Sequence, residues 1–219
     1  LLMIFTIAIG PQRGDVMGVP FMTFLAPGIL IMTVIQNAFA NTSSSLASAK
    51  VGGNIVDTLM PPLSAAELLF GYLFGAVARG LIVATVIAAG SWIFLGVHIQ
   101  NIGWMLTFVL LGSMFMGGLG MIAGIFANKF DQLSAISNFL VTPLSFLSGT
   151  FYSIDALPEP LRIASHANPF FYIIDGVRRG MIGVSDSSPW LGLVVVLAAN
   201  VVVLSVVWRW LDKGYRLKA

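Results

Sequence analysis

Apolar runs long enough to cross a bilayer recur along the whole chain, and no other feature constrains it as strongly. A hydrocarbon core about 30 Å thick needs about 17–25 apolar residues in helical form. Such runs fall at about 21–40, 68–97, 102–127, 133–152 and 189–211, and a ten-residue run, 1–10, opens the sequence. The runs do not alternate with a period of two, so they read as helices and not as strands of a closed barrel. The expectation is an all-α integral membrane protein, one transmembrane domain over 1–219 with five complete spans and one partial span. The first helix is expected to be incomplete, because ten residues reach only about half-way through the core.

Composition supports this reading. Of the 219 residues, 58% are hydrophobic and 9% charged, whereas soluble domains are about 25% charged. Too few charges remain to cover a soluble surface, which excludes a soluble enzyme, a disordered chain and a nucleic-acid-binding domain. Eleven Lys and Arg stand against nine Asp and Glu, and no basic run exceeds Arg178-Arg179. The absence of cysteine excludes a disulfide scaffold, a thiolate metal site and a Cys nucleophile. No metal site is expected. His98 and His166 sit at the outer ends of helices and have no second ligand at helical spacing.

Lys and Arg placement sets the orientation. With 41–66, 127–132 and the tail 212–219 inside, all four lysines (Lys50, Lys129, Lys213, Lys218) and Arg216 are cytoplasmic. Arg13, Arg162, Arg178 and Arg179 are then outside, the last three among acidic residues. Both termini are expected in the cytoplasm. Segment 41–66 reads as a loop whose Asn41-Thr42-Ser43-Ser44-Ser45 run forms the polar inner end of the second span. The outer segment 153–188 contains a helix start at Asn168-Pro169, since Asn caps and Pro suits the first helical position. Asp175 precedes Arg178 and Arg179 by three and four residues, which places them on one helix face, and a contact with one of them is expected. Gly71/Gly75 and Gly120/Gly124 have the spacing that lets helices approach closely and read as packing positions within the bundle.

There is no P-loop and no HExxH, and no acid lies clearly within a span. No polar stripe along a span is read. Arg79 is the ionisable residue inside an apolar run. Because Gly80 to Val97 alone nearly spans the core, Arg79 reads either as a boundary residue that snorkels or as a pathway or interface residue. A transporter without its own ion-coupling acids or ATP site must be driven from outside, by a separate ATPase.

The residues Phe151-Tyr152-Ser153, Leu157-Pro158, Ser165-His166-Ala167-Asn168-Pro169-Phe170 and Asp175-Gly176-Val177-Arg178 resemble the signature of type 2 ABC exporter permeases. Ala26-Pro27-Gly28-Ile29 and Asn37-Ala38-Phe39-Ala40-Asn41 look like that family's second helix, and Ala78-Arg79-Gly80 and Thr142-Pro143-Leu144 are similar to its YadH-like bacterial branch. The resemblance implies a six-transmembrane-helix ABC exporter permease bundle in a bacterial inner membrane, with re-entrant outer helices at 157–183. It also implies a dimer of permeases and a cytoplasmic ABC ATPase that binds ATP and Mg, with no cofactor in this chain. The family's coupling helix would match Asn54-Ile55-Val56-Asp57-Thr58-Leu59, ended by Pro61-Pro62. Its outer motif would match Asn168, Pro169, Asp175 and Arg178. The implied substrate is amphipathic, lipid-linked, a polysaccharide or drug-like. The rival readings are a membrane-embedded transferase using His166, Asp175 and Arg178, and a channel or secondary transporter independent of any ATPase.

Overall fold

A computed structural model describes residues 14–53, 63–154 and 157–215. Helices α1 (Phe21–Val51), α2 (Ala65–Leu95) and α3 (Ile102–Phe126) are followed by α4 (Phe130–Ile136) and α5 (Thr142–Ser145). Then come α6 (Glu159–His166), α7 (Pro169–Ile182) and α8 (Pro189–Asp212). Four of these, α1, α2, α3 and α8, are long and apolar enough to cross a membrane. The opening run 1–10 and the coupling segment 54–59 lie outside the described residues.

Two expectations need correction. The second span does not stop near residue 40. It continues as helix to Val51, taking in eleven residues assigned to the loop. The polar run does not break the helix, because its hydroxyls turn back onto the preceding turn: Ser44 donates to the Ala40 carbonyl at 2.6 Å and Ser45 to that of Asn41 at 2.7 Å. Each hydroxyl is satisfied locally, so the backbone ladder need not open. The fifth run, 133–152, is helical but not one continuous helix. Wider π turns at Ser137–Val141 and Phe146–Thr150 interrupt it. The second kinks at Gly149, whose φ of +82° is a left-handed conformation that only glycine adopts cheaply.

The remaining helix ends match their local chemistry. Ser64 and Glu67 form a capping box at the start of α2, satisfying two of the amides that a helix N-terminus leaves open. The Ser64 backbone N–H and hydroxyl both donate to the Glu67 carboxylate. Asn101 caps α3 through the Trp104 N–H.

The core is built on α1 against α3. Gly120 and Gly124 face α1, where a Cβ at Gly124 would lie 3.0 Å from the Leu46 Cβ and 3.1 Å from the Ser43 carbonyl. The Thr42 hydroxyl donates across this seam to the Gly117 carbonyl at 2.8 Å. At the far end of α1, Lys50 Nζ donates to the Ile125 and Ala127 carbonyls at 2.7 and 3.0 Å. Those carbonyls close the C-terminus of α3, where a cation is favourable. The other glycine pair packs differently: among the described residues a Cβ at Gly71 would meet nothing within 4 Å, and one at Gly75 would meet only the Asn41 amide of α1.

Candidate functional site

Helices α2 and α8 bury few residues. Their open sides carry Phe70, Phe74, Ile82 and Val86 on α2, and Val194, Val201 and Val202 on α8. Such sides suit contact with lipid. The open side of α1 is different. Thr33, Asn37, Asn41, Ser44 and Ser48 recur at spacings of four, four, three and four, and all are partly or fully exposed. At 100° per residue they form a stripe about 80° wide and about 22 Å long. The opposite side of α1 is buried and almost wholly apolar. This stripe was missed in the sequence because the helix was ended at residue 40, which cut it in half.

Arg79 of α2 adjoins the stripe, with its Nε donating to Asn37 Oδ1 at 3.2 Å. Asn37 is itself fixed, since its amide donates to the Thr33 carbonyl at 3.0 Å. The depth of Arg79 follows from its neighbour Gly80, where a Cβ would lie 3.2 Å from the Ser113 Cβ. Ser113 is the twelfth of the 25 residues of α3. A helix of that length is about 38 Å long and exceeds a 30 Å core by about 8 Å. Even if all the excess lay at one end, Ser113 would be about 9 Å or more from either boundary. Arg79, the fifteenth of the 31 residues of α2, therefore lies far from the ends of both helices. In a bilayer an arginine there needs water or protein around it.

The outer motif is assembled at the opposite end of α1 from Lys50. Helix α7, at 14 residues, is too short to span, yet every residue except Pro169 and Arg179 is buried. Gly176 lies flat on the Phe108 ring of α3. Asn168 caps the helix by accepting from the Phe170 N–H at 3.0 Å, and its amide donates to Ser148 Oγ at 2.9 Å. Pro169 is the first helical residue. Together they fasten α7 to the second π turn.

Arg178 is fully buried. Its Nη1 lies 3.7 Å from Asp175 Oδ1 and 3.2 Å from Asp186 Oδ2. Nη2 donates to the Gly149 carbonyl, and the guanidinium carbon stands 4.1 Å from the centre of the Phe24 ring. Asp175 accepts the Asp186 and Ser187 backbone N–H groups at 2.7 and 2.9 Å, and Ser153 donates to Asp186. Arg179 turns away and donates to the Gly183 carbonyl. Asp186 and Ser153 were not anticipated. They reach the cluster from turns distant in sequence, so no helical spacing announces them. His166 closes α6 with its ring edge against Phe171, 5.4 Å between centroids, away from the Arg178 cluster. Among the described residues no group of three or more His, Cys, Asp or Glu could hold a metal.

Known proteins share this arrangement of sequence. Residues 2–182 match the ABC-2 type transporter family. The chain is similar to the inner membrane transport permease YadH of Escherichia coli K12, with 34% identity over 216 residues covering 99% of this chain and 84% of that one. It is more distantly similar to Nodulation protein J of Sinorhizobium fredii NGR234, with 24% identity over 182 residues covering 80% of this chain and 67% of the other. Nodulation protein J of Rhizobium leguminosarum bv. viciae is 22% identical over 176 residues, covering 80% of this chain and 68% of its own. The four long apolar helices, the motif around Arg178 and these matches lead to one conclusion: the chain is a membrane permease domain of the ABC-2 type transporter family.

Proposed function

We propose that this chain is the permease subunit of an ATP-driven exporter of the bacterial inner membrane. A separate cytoplasmic ATPase supplies ATP and Mg chemistry, and two permease copies pair so that the polar face of α1 lines the pathway between them. The observation that carries this reading is the contrast among the open sides of the long helices. Those of α2 and α8 are apolar, while that of α1 is a stripe of hydroxyls and carboxamides flanked by an arginine near the middle of α2. Lipid is a poor solvent for such a stripe, and a second copy enclosing water is a good one.

The rest of the reading follows the family. Six spans, both termini inside, and a coupling helix at Asn54, Ile55, Val56, Asp57, Thr58 and Leu59 belong to the proposal. So does α6–α7 acting as a re-entrant plug at the outer end. The substrate is amphipathic, in keeping with a polar pathway bordered by apolar helix sides. ATP-driven approach of the ATPases would push on the segment after α1 and open the seam outward.

The chain's lack of cysteine makes the test direct. Single cysteines at Thr33 and Asn41 bracket Asn37 on the stripe, and one at Val201 lies on the open side of α8. With the partner ATPase bound, a membrane-impermeant maleimide is expected to label the two stripe positions at a rate that changes with ATP, leaving Val201 unlabelled. If Thr33 and Asn41 are no more reactive than Val201 in every nucleotide state, the pathway is elsewhere. Loss of ATPase co-purification in an Asp57→Arg, Leu59→Asp variant tests the coupling position.

A further inference from the structure

Arg79 is the ionisable side chain, among the described residues, that lies far from both ends of a spanning helix. Lys50, Glu67, Arg209 and Asp212 all sit in terminal turns. Its guanidinium is exposed, and its Nε is occupied by Asn37. The fork of terminal nitrogens has no partner among the described residues. The neighbouring side chains on the stripe are hydroxyls and carboxamides, and several of their protons are already donated to the backbone: Thr33 to Ile29 at 2.8 Å, Asn37 to Thr33 at 3.0 Å and Ser44 to Ala40. No carboxylate stands on the stripe to compensate the charge. The result is a guanidinium held at Nε, with no counter-charge on the stripe, near the middle of α2.

We infer that Arg79, positioned by Asn37, is a specificity-determining residue that takes a phosphate or carboxylate group of an amphipathic substrate. A planar fork of N–H donors matches those two oxyanions bidentately, and an unpaired cation repels a cationic headgroup in the same place. Two facing copies would present two such forks. This inference rests on the proposed pathway.

The test uses the full-length permease with its partner ATPase in nanodiscs of phosphatidylcholine alone. Dodecyl phosphate, dodecyl maltoside and dodecyltrimethylammonium are compared by the concentration giving half the maximal change in ATPase rate. The wild type is expected to respond to the phosphate at a concentration about tenfold lower than to the maltoside, and least to the cation. Arg79→Gln should bring that ratio to about one, and Arg79→Lys should leave it in between, because charge remains and the fork is lost. Asn37→Ala should lower the ratio by freeing the arginine.

A wild-type ratio near one, or a ratio unchanged in Arg79→Gln, overturns the inference. If that variant fails to assemble, Arg79→Lys and Asn37→Ala decide, and unchanged ratios in both overturn it. Two further arms identify the source of the anion. Competition by inorganic phosphate supports a free-anion site at the same fork. A response to phosphatidylglycerol alone that disappears in Arg79→Gln supports a membrane lipid as its bearer. Cysteine labelling of Thr33 and Asn41 separates the two levels of argument: labelled positions with an unchanged ratio remove the anion site and keep the pathway.

Discussion

Two arginines divide the molecule into a sealed end and an open middle. Arg178 is enclosed by Asp175, Asp186, the Gly149 carbonyl and the Phe24 ring. Arg79 meets one carboxamide and is exposed. Both lie on helices built largely of apolar residues, where an unpaired charge is costly. The protein meets that cost from its own side chains at Arg178 and leaves it to something outside the protomer at Arg79. A charge with its counter-charges in place is structural, even though the buried Nε of Arg178 keeps no hydrogen-bond partner among the described residues. A charge held by one neutral neighbour has capacity to spare.

Stability measurements should separate the two most sharply. Arg178→Ala leaves two buried carboxylates without their cation and should cost about 3–5 kcal/mol, read as a large drop in the thermal midpoint followed by tryptophan fluorescence. Pairing it as Arg178→Met with Asp186→Asn should recover much of that loss, because removing both partners is far milder than removing one. If Arg178→Ala unfolds no earlier than wild type, the enclosed cluster is not what holds the outer end.

Smaller effects sharpen the contrast. Gly176→Val forces a branched side chain into the Phe108 ring and should cost about 1–3 kcal/mol, again on the sealed side. Ser64→Ala removes one half of the capping box of α2, with about 1 kcal/mol expected, measurable as hydrogen exchange in the first turn of α2. Arg79→Gln should shift the thermal midpoint least, within about 0.5 kcal/mol, although it is expected to alter substrate selectivity. A destabilisation by Arg79→Gln as large as that by Arg178→Ala would erase the distinction between the two sites.

The sequence exposes the two regions unequally. Long apolar runs place α2, α3 and α8 to within a few residues, because burial in lipid or protein demands the same side chains either way. The end of α1 was not visible, since serine, threonine and asparagine favour loops in isolation and are held helical here by bonds to their own backbone. With α1 cut short, the stripe that ends at Ser48 could not be seen, although its four-residue spacing is present in the letters. The helix start at Asn168-Pro169 and the proximity of Asp175 to Arg178 were legible because both are local. Asp186 and Ser153 were not, because their approach to Arg178 depends on how a π turn and the approach to α8 are folded back. The coupling positions 54–59 rest on family likeness.

The clamp formed by Lys50 also has a mechanical meaning. Its ammonium binds the last carbonyls of α3, and the Thr42 hydroxyl ties the same two helices about two-thirds of the way along each. Joined at two levels, α1 and α3 behave as one stiff beam. The chain leaves that beam through Gly52 and Gly53, the latter with a φ of +73°, so bending is concentrated there and not within the helix. A load arriving from the following segment would enter both helices at once and turn them together. The polar face of α1 would then swing as a whole panel, with Thr33 moving in step with Ser48.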